Sequence, residues 1–197
     1  MRIFLAGASG VLGRRLVPLL VAEGHEVVGM TRSPDKVELL MGLGAEPVVC
    51  DVFDAAALAR VVADARPDVV LHELTDLPDD AALIASRPGA NARMRREGTR
   101  NLIAAARAAG VERFMAQSVA WTLPGDGAAA VAELEELTLA IGGVVLRYGQ
   151  FYGEGTYHPT PPQPPRVAID VAAAKTVAAL SARSGVVTIV DDEPATS

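Results

Sequence analysis

Seven residues near the start, Gly7-Ala8-Ser9-Gly10-Val11-Leu12-Gly13, follow an apolar run (Ile3-Phe4-Leu5-Ala6) and lead directly into a helical pattern over residues 11–21. Strand, glycine turn and helix start, in that order, make an anion site. Glycine lets the backbone close on a phosphate, and the unpaired N–H groups and dipole of the helix draw its negative charge. As the first turn of an α/β sequence, the pattern points to a dinucleotide. Gly7, Ser9, Gly10, Val11, Leu12 and Gly13 are therefore expected to hold a cofactor.

The next chemistry-bearing residues stand where later strands should end. The second strand closes on Thr31-Arg32, with Ser33 and Lys36 behind and no carboxylate before Asp35. An acidic residue at that point selects NAD through the ribose 2′-hydroxyl, whereas an arginine pairs with the 2′-phosphate of NADP. The sequence thus favours NADP over NAD; a merely solvated Arg32 is the alternative. Asp51-Val52, after the third strand, offers a carboxylate to the adenine amino group. Leu74, after the fourth, lies on backbone that should pass under the cofactor. His72 and His25 read as structural, and Cys50 as a small apolar residue closing a strand.

These positions need a scaffold, and the apolar pattern supplies one. Strand-length runs at 2–6, 25–30, 46–50, 68–72, 112–117 and 143–147 alternate with helical patterns at 10–23, 34–43, 54–65, 88–109 and 128–141. Such alternation predicts an α/β fold: a Rossmann-type, doubly wound parallel sheet of order 3-2-1-4-5-6. Ser33 before Pro34, and Asp54, are expected helix caps. Residues 73–87 read as a long loop in which Asp76, Asp79 and Asp80 face water. Residues 153–166, rich in proline, exclude a helix or central strand. Beyond them the pattern predicts a short strand at 167–169, a helix capped by Asp170 and running to Ser181, and a last strand at 186–190. The expected organisation is a dinucleotide-binding domain over 1–150 and a reduced substrate-side segment, a minimal C-terminal appendage, over 151–197.

Composition sets limits. The chain has 197 residues, a single cysteine and a formal net charge of -6. That balance argues against nucleic acid as a general partner. No apolar run reaches membrane-spanning length. One cysteine, and a first strand starting at Arg2, suit a reducing cytoplasm. Three scattered histidines argue against a metal site.

The glycine turn, Thr31-Arg32, Asp51, the Val-Val-Leu-His segment, Gly98-Thr99-Arg100-Asn101-Leu102, Gln117-Ser118 and Arg147-Tyr148-Gly149-Gln150-Phe151-Tyr152-Gly153 occur in one order. That order resembles the extended and atypical short-chain dehydrogenase/reductases, the NAD-dependent epimerase/dehydratase group. The resemblance implies cofactor binding by Gly7, Gly10, Leu12, Arg32, Asp51, Val52 and the Arg147 segment. It places Ser118 at the catalytic serine and Tyr152-Gly153 beside the nicotinamide, with Tyr152 a candidate acid. It also implies a homodimer through the helices near 88–109 and 128–141, whose opposite charges (Arg93, Arg96, Arg100 and Arg107 against Glu133, Glu135 and Glu136) suit contact within a chain or across a two-fold axis.

The family's tyrosine, followed four residues later by a lysine, is missing. None of the three tyrosines precedes a lysine at that spacing, and the helix expected to carry the pair has neither residue. Two functions follow. One is an NADP-dependent oxidoreductase acting on a small carbonyl or hydroxyl compound; the other is a catalytically weak or silent NADP-binding sensor or scaffold.

Overall fold

The computed structural model describes residues 1–78, 80–87 and 89–191. Seven parallel strands form its central sheet in the order β3-β2-β1-β4-β5-β6-β9. The strands are β1 (Arg2–Ala6), β2 (Glu26–Thr31), β3 (Glu46–Val49), β4 (Val69–His72), β5 (Arg113–Val119), β6 (Val144–Tyr148) and β9 (Gly185–Ile189). The expected order of six is present, and β9 extends it past β6, pairing Val144 with Gly185 through Tyr148 with Ile189.

Strand periodicity sorts the core onto two faces. In β1, Ile3 and Leu5 pack into one cluster, while Phe4 and Ala6 pack into the other. The first cluster is covered by α1 (Gly13–Ala22), α2 (Val37–Gly42) and α7 (Ile169–Ala178) through Leu16, Leu20, Leu40 and Ala173. The second is covered by α3 (Ala55–Ala65), α5 (Thr99–Ala108) and α6 (Gly125–Ala140) through Leu58, Val62, Leu102 and Leu134. All four residues of β4 are buried, as a central parallel strand covered on both faces requires.

The helix expected over 88–109 is α4 (Ala90–Arg93), a π-helical stretch (Met94–Gly98) and α5 in succession. Asp54 caps α3, its side chain accepting the Ala57 N–H at 2.9 Å. Ser33 and Asp170 depart from the expected capping. Ser33 gives no side-chain cap; its own N–H goes to Thr31 Oγ1. Asp170 lies inside the first turn of α7 and pairs with Arg15 at 2.6 Å, tying α7 to α1. The helix expected over 34–43 is divided into a 3-10 turn (Pro34–Lys36) and α2.

Two further segments differ from expectation. A 3-10 turn (Ala81–Ser86) interrupts the long loop after β4. Asp76 is not solvated: it is 9% exposed and accepts from both Arg32 and Arg87. Asp79 lies outside the described residues. The strand expected at 167–169 is β8 (Arg166–Ala168), which pairs with β7 (Gln150–Tyr152) in a separate two-stranded sheet. No helix among the described residues is long and apolar enough to cross a membrane.

Candidate functional site

A crevice opens over the carboxyl ends of β1 to β4, the place where an open parallel sheet binds ligands. Its floor is the glycine turn. Gly7 has φ +98°, and a Cβ there would stand 2.7 Å from the Glu73 carbonyl oxygen, so the turn presses directly against the end of β4. Gly13 allows the turn to fold back on itself, since a Cβ there would meet Gly7 O at 2.3 Å. Gly10 is different: its only close neighbour would be Gly7 O at 3.2 Å, and the space beyond is open. The N–H groups of Gly7 and Ala8 bond to Met30 O, and that of Gly10 to Gly7 O. Those of Ser9, Val11 and Leu12 take no partner among the described residues. A cradle that a Cβ would fill, edged with unpaired amides at a helix start, fits a pyrophosphate.

Five side chains expected at the site extend this floor. Of the residues expected to hold a cofactor, Gly7, Ser9, Gly10, Thr31, Arg32, Asp51, Val52 and Leu74 line the crevice. Thr31 Oγ1 meets Ser9 Oγ at 2.9 Å, locking the end of β2 to the turn. Arg32 remains 55% exposed, its Nη2 at 3.3 Å from Asp76 Oδ1. Asp51 Oδ1 accepts the Phe53 N–H at 2.9 Å, and Oδ2 has no hydrogen bond among the described residues. Arg93 covers the ring of Phe53 with its guanidinium carbon 3.9 Å from the ring centroid. Val11, Leu12 and Gly13 do not line the crevice; Leu12 and Gly13 are buried behind it, in the start of α1.

Arg147 stands elsewhere. It is the register partner of Ser118 across β5 and β6, and both side chains reach over the sheet to Glu135 on α6. Ser118 Oγ donates to Glu135 Oε1 at 2.6 Å, and Arg147 Nε donates to the same oxygen at 2.8 Å. Burial works to raise the Glu135 pKa, but Arg147 and Ser118 together hold it below the usual carboxylate value. Ser118 is 1% exposed. The cluster fastens α6 to the sheet, and it is not part of the crevice lining. The Tyr152 hydroxyl donates to Asp191 Oδ2 at 2.9 Å, and that bond raises the phenol pKa.

His72 is structural, as expected. Its Nδ1 accepts the Leu74 N–H at 3.2 Å, so the proton sits on Nε2, 3.0 Å from Thr99 Oγ1. Burial lowers its pKa to about 4. Cys50 is buried, with Sγ at 3.5 Å from Asp51 O.

Sequence reasoning missed Glu73, which is 6% exposed at the exit of β4. The signal was present: a carboxylate directly after four buried strand residues. Burial pushes its carboxyl up to about 8, against a smaller downward pull from the Tyr148 hydroxyl. Asp76 and Arg87 were missed because their pairing spans the loop after β4. Among the described residues no group of three or more His, Cys, Asp or Glu side chains is placed to hold a metal ion.

Sheet order, glycine cradle and strand-end residues define a dinucleotide-binding Rossmann domain. The chain belongs to the NAD(P)H-binding domain family, whose model matches residues 7–136. It is 39% identical over 184 residues to a Streptomyces 3-diazoavenalumate denitrifying reductase, covering 79% of this chain and 58% of that protein. A Stigmatella aurantiaca quinoline-oxide ketoreductase is 33% identical over 118 residues, 58% of this chain and 32% of that one. The chain thus spans less than two thirds of the length of these curated relatives. Among solved structures, UDP-glucose 4-epimerase of Thermotoga maritima superposes with a TM-score of 0.78 at 18% identity, over 96% of this chain and 77% of that one. An anaerobillin reductase from Escherichia coli O157:H7 gives 0.74 at 20% identity, over the whole of both chains. These two likenesses establish the fold, in agreement with the resemblance to short-chain dehydrogenase/reductases.

Proposed function

We propose that this protein is an NADP-dependent oxidoreductase acting on a small carbonyl or hydroxyl compound. The observation that carries the reading is the pairing, in one crevice, of an amide-edged glycine cradle with Arg32 at the end of β2. The cradle would hold the pyrophosphate through the Ser9, Val11 and Leu12 amides. Thr31, Ser33 and Arg32 would surround the adenosine ribose, and Arg32 is half in solvent, free to exchange its long contact with Asp76 for a 2′-phosphate. Asp51 Oδ2 would accept from the adenine. A bound nicotinamide supplies a hydride, and the chain's part is then to orient the substrate and exclude water. The names of the reductases it matches support the same class of chemistry.

The catalytic roles of Ser118 and Tyr152 belong to this proposal in weakened form, because Glu135 and Asp191 already hold both hydroxyls. That commitment, with the absent tyrosine–lysine pair, favours a second reading: an NADP-binding sensor or scaffold with little turnover. A homodimer and a cytoplasmic setting remain proposals. Of the charges expected to join these helices within a chain or across a two-fold axis, Arg96 and Arg100 both pair with Glu133 of their own chain.

Nucleotide titrations followed by thermal melting and by the fluorescence of Trp121, three residues past Ser118, test the cofactor. NADPH at a hundred times its dissociation constant should stabilise by about 2.7 kcal/mol, with NADH needed at higher concentration. Arg32→Asp should reverse the order. Equal shifts from both nucleotides would refute the role given to Arg32. Turnover of NADPH with a carbonyl panel separates the two readings: tight binding with no oxidation of NADPH on any member favours the sensor.

A further inference from the structure

Asp76, on the loop after β4, holds two arginines through one atom. Its Oδ1 accepts Arg32 Nη2 at 3.3 Å and Arg87 Nη2 at 3.0 Å, so both guanidinium groups stand within hydrogen-bond reach of a single oxygen. The carboxylate is buried, and its residue is anchored by a hydrogen bond from the Asp76 N–H to Asn91 Oδ1 at 3.1 Å. The loop is folded to bring Arg87 back to it. Asp80 accepts the Ala82 N–H, the Ser86 hydroxyl donates to Leu83 O, and the Arg87 N–H donates to Ile84 O. Arg87 so returns to Asp76 from 11 residues further along the chain.

Both arginine side chains are about half exposed, and each spends one nitrogen on Asp76. Nε and Nη1 of both take no partner among the described residues. Two cations share one carboxylate, and among the described residues neither pairs with a second, Asp51 included. The trio therefore carries one positive charge in excess, with its unused donors on the solvent side. Position says which anion suits it. Arg32 lines the crevice at the exit of β2; Arg87 stands outside the lining and reaches Arg32 from the exit of β4, by way of Asp76. β1 and its glycine turn lie between those strands and already provide for the pyrophosphate. What remains beside Arg32 is the adenosine ribose and whatever its 2′ position carries.

We propose that Arg87 is a second specificity-determining residue for NADP and grips the 2′-phosphate together with Arg32. This rests on the reading of Arg32 given above and extends it to the loop after β4. A phosphate monoester carries about −1.5 to −2 charges near neutral pH, more than one arginine neutralises, and its three outer oxygens accept from two guanidinium groups at once. When Arg32 turns from Asp76 to the phosphate, Arg87 keeps the carboxylate paired through Nη2 and presents its remaining nitrogens to the same phosphate. NAD offers a hydroxyl at that position, which gives Arg87 no anion to hold.

The test titrates the full chain calorimetrically with NADPH against NADH, and with adenosine 2′,5′-bisphosphate against 5′-AMP. Arg87→Met should weaken NADPH and the bisphosphate about tenfold or more, while NADH and AMP stay within about twofold. Arg87→Lys keeps the charge but loses the fork, so it should recover only part of the loss. It also carries the test if Arg87→Met does not fold, since it should still weaken NADPH relative to NADH. Combining Arg32→Met with Arg87→Met should bring NADPH down to the affinity of NADH. The proposal is overturned if Arg87→Met weakens NADPH and NADH alike, which would make the residue a support for the loop. It is overturned as well if Arg87→Met leaves NADPH binding intact while Arg32→Met abolishes the preference for NADPH. A wild type that does not prefer NADPH to NADH would instead strike the reading of Arg32 on which this one stands.

Discussion

The Tyr148 hydroxyl lies 3.0 Å from Glu73 Oε1, joining the end of β6 to the exit of β4. The same hydroxyl lies 2.7 Å from Thr176 Oγ1, which reaches Ala172 O at 2.7 Å. The Tyr148 hydroxyl donates to Glu73 Oε1, while Oε2 is buried without a hydrogen-bond partner, and this burial raises the carboxyl's pKa.

Glu73 should therefore make the protein less stable as pH rises. In the unfolded chain its carboxyl titrates near 4.5, and in the fold at about 8. Between those values the unfolded state has shed a proton that the folded state keeps, so stability falls through that window and then levels. The loss is on the order of a few kcal/mol. Glu73→Gln keeps an acceptor for the Tyr148 hydroxyl but has no carboxyl to titrate, and should flatten the slope. Denaturant unfolding at about pH 6 and about pH 9 checks this, and parallel slopes in wild type and variant would sink it.

His72 acts in the opposite direction. Its folded pKa of about 4 lies below the ordinary 6.5, so the unfolded chain takes up a proton first as pH falls, and stability is lost from 6.5 down to about 4. The His72 ring resonances should stay in the neutral form down to about pH 5. A ring titrating near its ordinary value would mean that the Thr99 contact does not keep it buried. Thr99→Val, which strands the Nε2–H, should cost about 1–3 kcal/mol.

Gly7 and Gly10 should separate folding from binding. Gly7→Ala forces a Cβ to within 2.7 Å of Glu73 O at a positive φ and should lower stability by about 1–3 kcal/mol or more. Gly10→Ala meets one backbone oxygen at 3.2 Å and otherwise enters open space. It should fold, with a small loss, while abolishing the NADPH shift. A Gly10→Ala protein that binds NADPH normally would place the phosphates elsewhere.

Ser118→Ala should cost about 0.5–1.5 kcal/mol, the ordinary value of one buried hydrogen bond. Turnover, where it is found, should fall by less than about tenfold. Glu135→Ala strands Ser118 and Arg147 together and should cost more. Unchanged stability with collapsed turnover in Ser118→Ala would return that hydroxyl to the chemistry.

The strand order, the helices on both faces and the floor of the crevice were legible because each rests on local pattern: two-fold alternation, apolar runs and a glycine turn. Thr31, Arg32, Asp51 and Leu74 were legible because strand ends in a parallel sheet point to one edge. Arg147 and Ser118 were not, because a strand residue looks to one face or the other, and only the β5–β6 register shows both turned toward α6. Asp76 read as a solvated loop charge because its two arginines come from 44 residues upstream and 11 downstream. Glu73 carries burial that no local pattern reveals.

The late strand β9 has a consequence for the growing polypeptide. From the time β6 leaves the ribosome until residues 185–189 follow, Val144 to Tyr148 have a bare hydrogen-bonding edge. Through that interval the nascent sheet keeps an open edge at β6, and β9 closes it only after the proline-rich stretch that ends at Arg166 has been made.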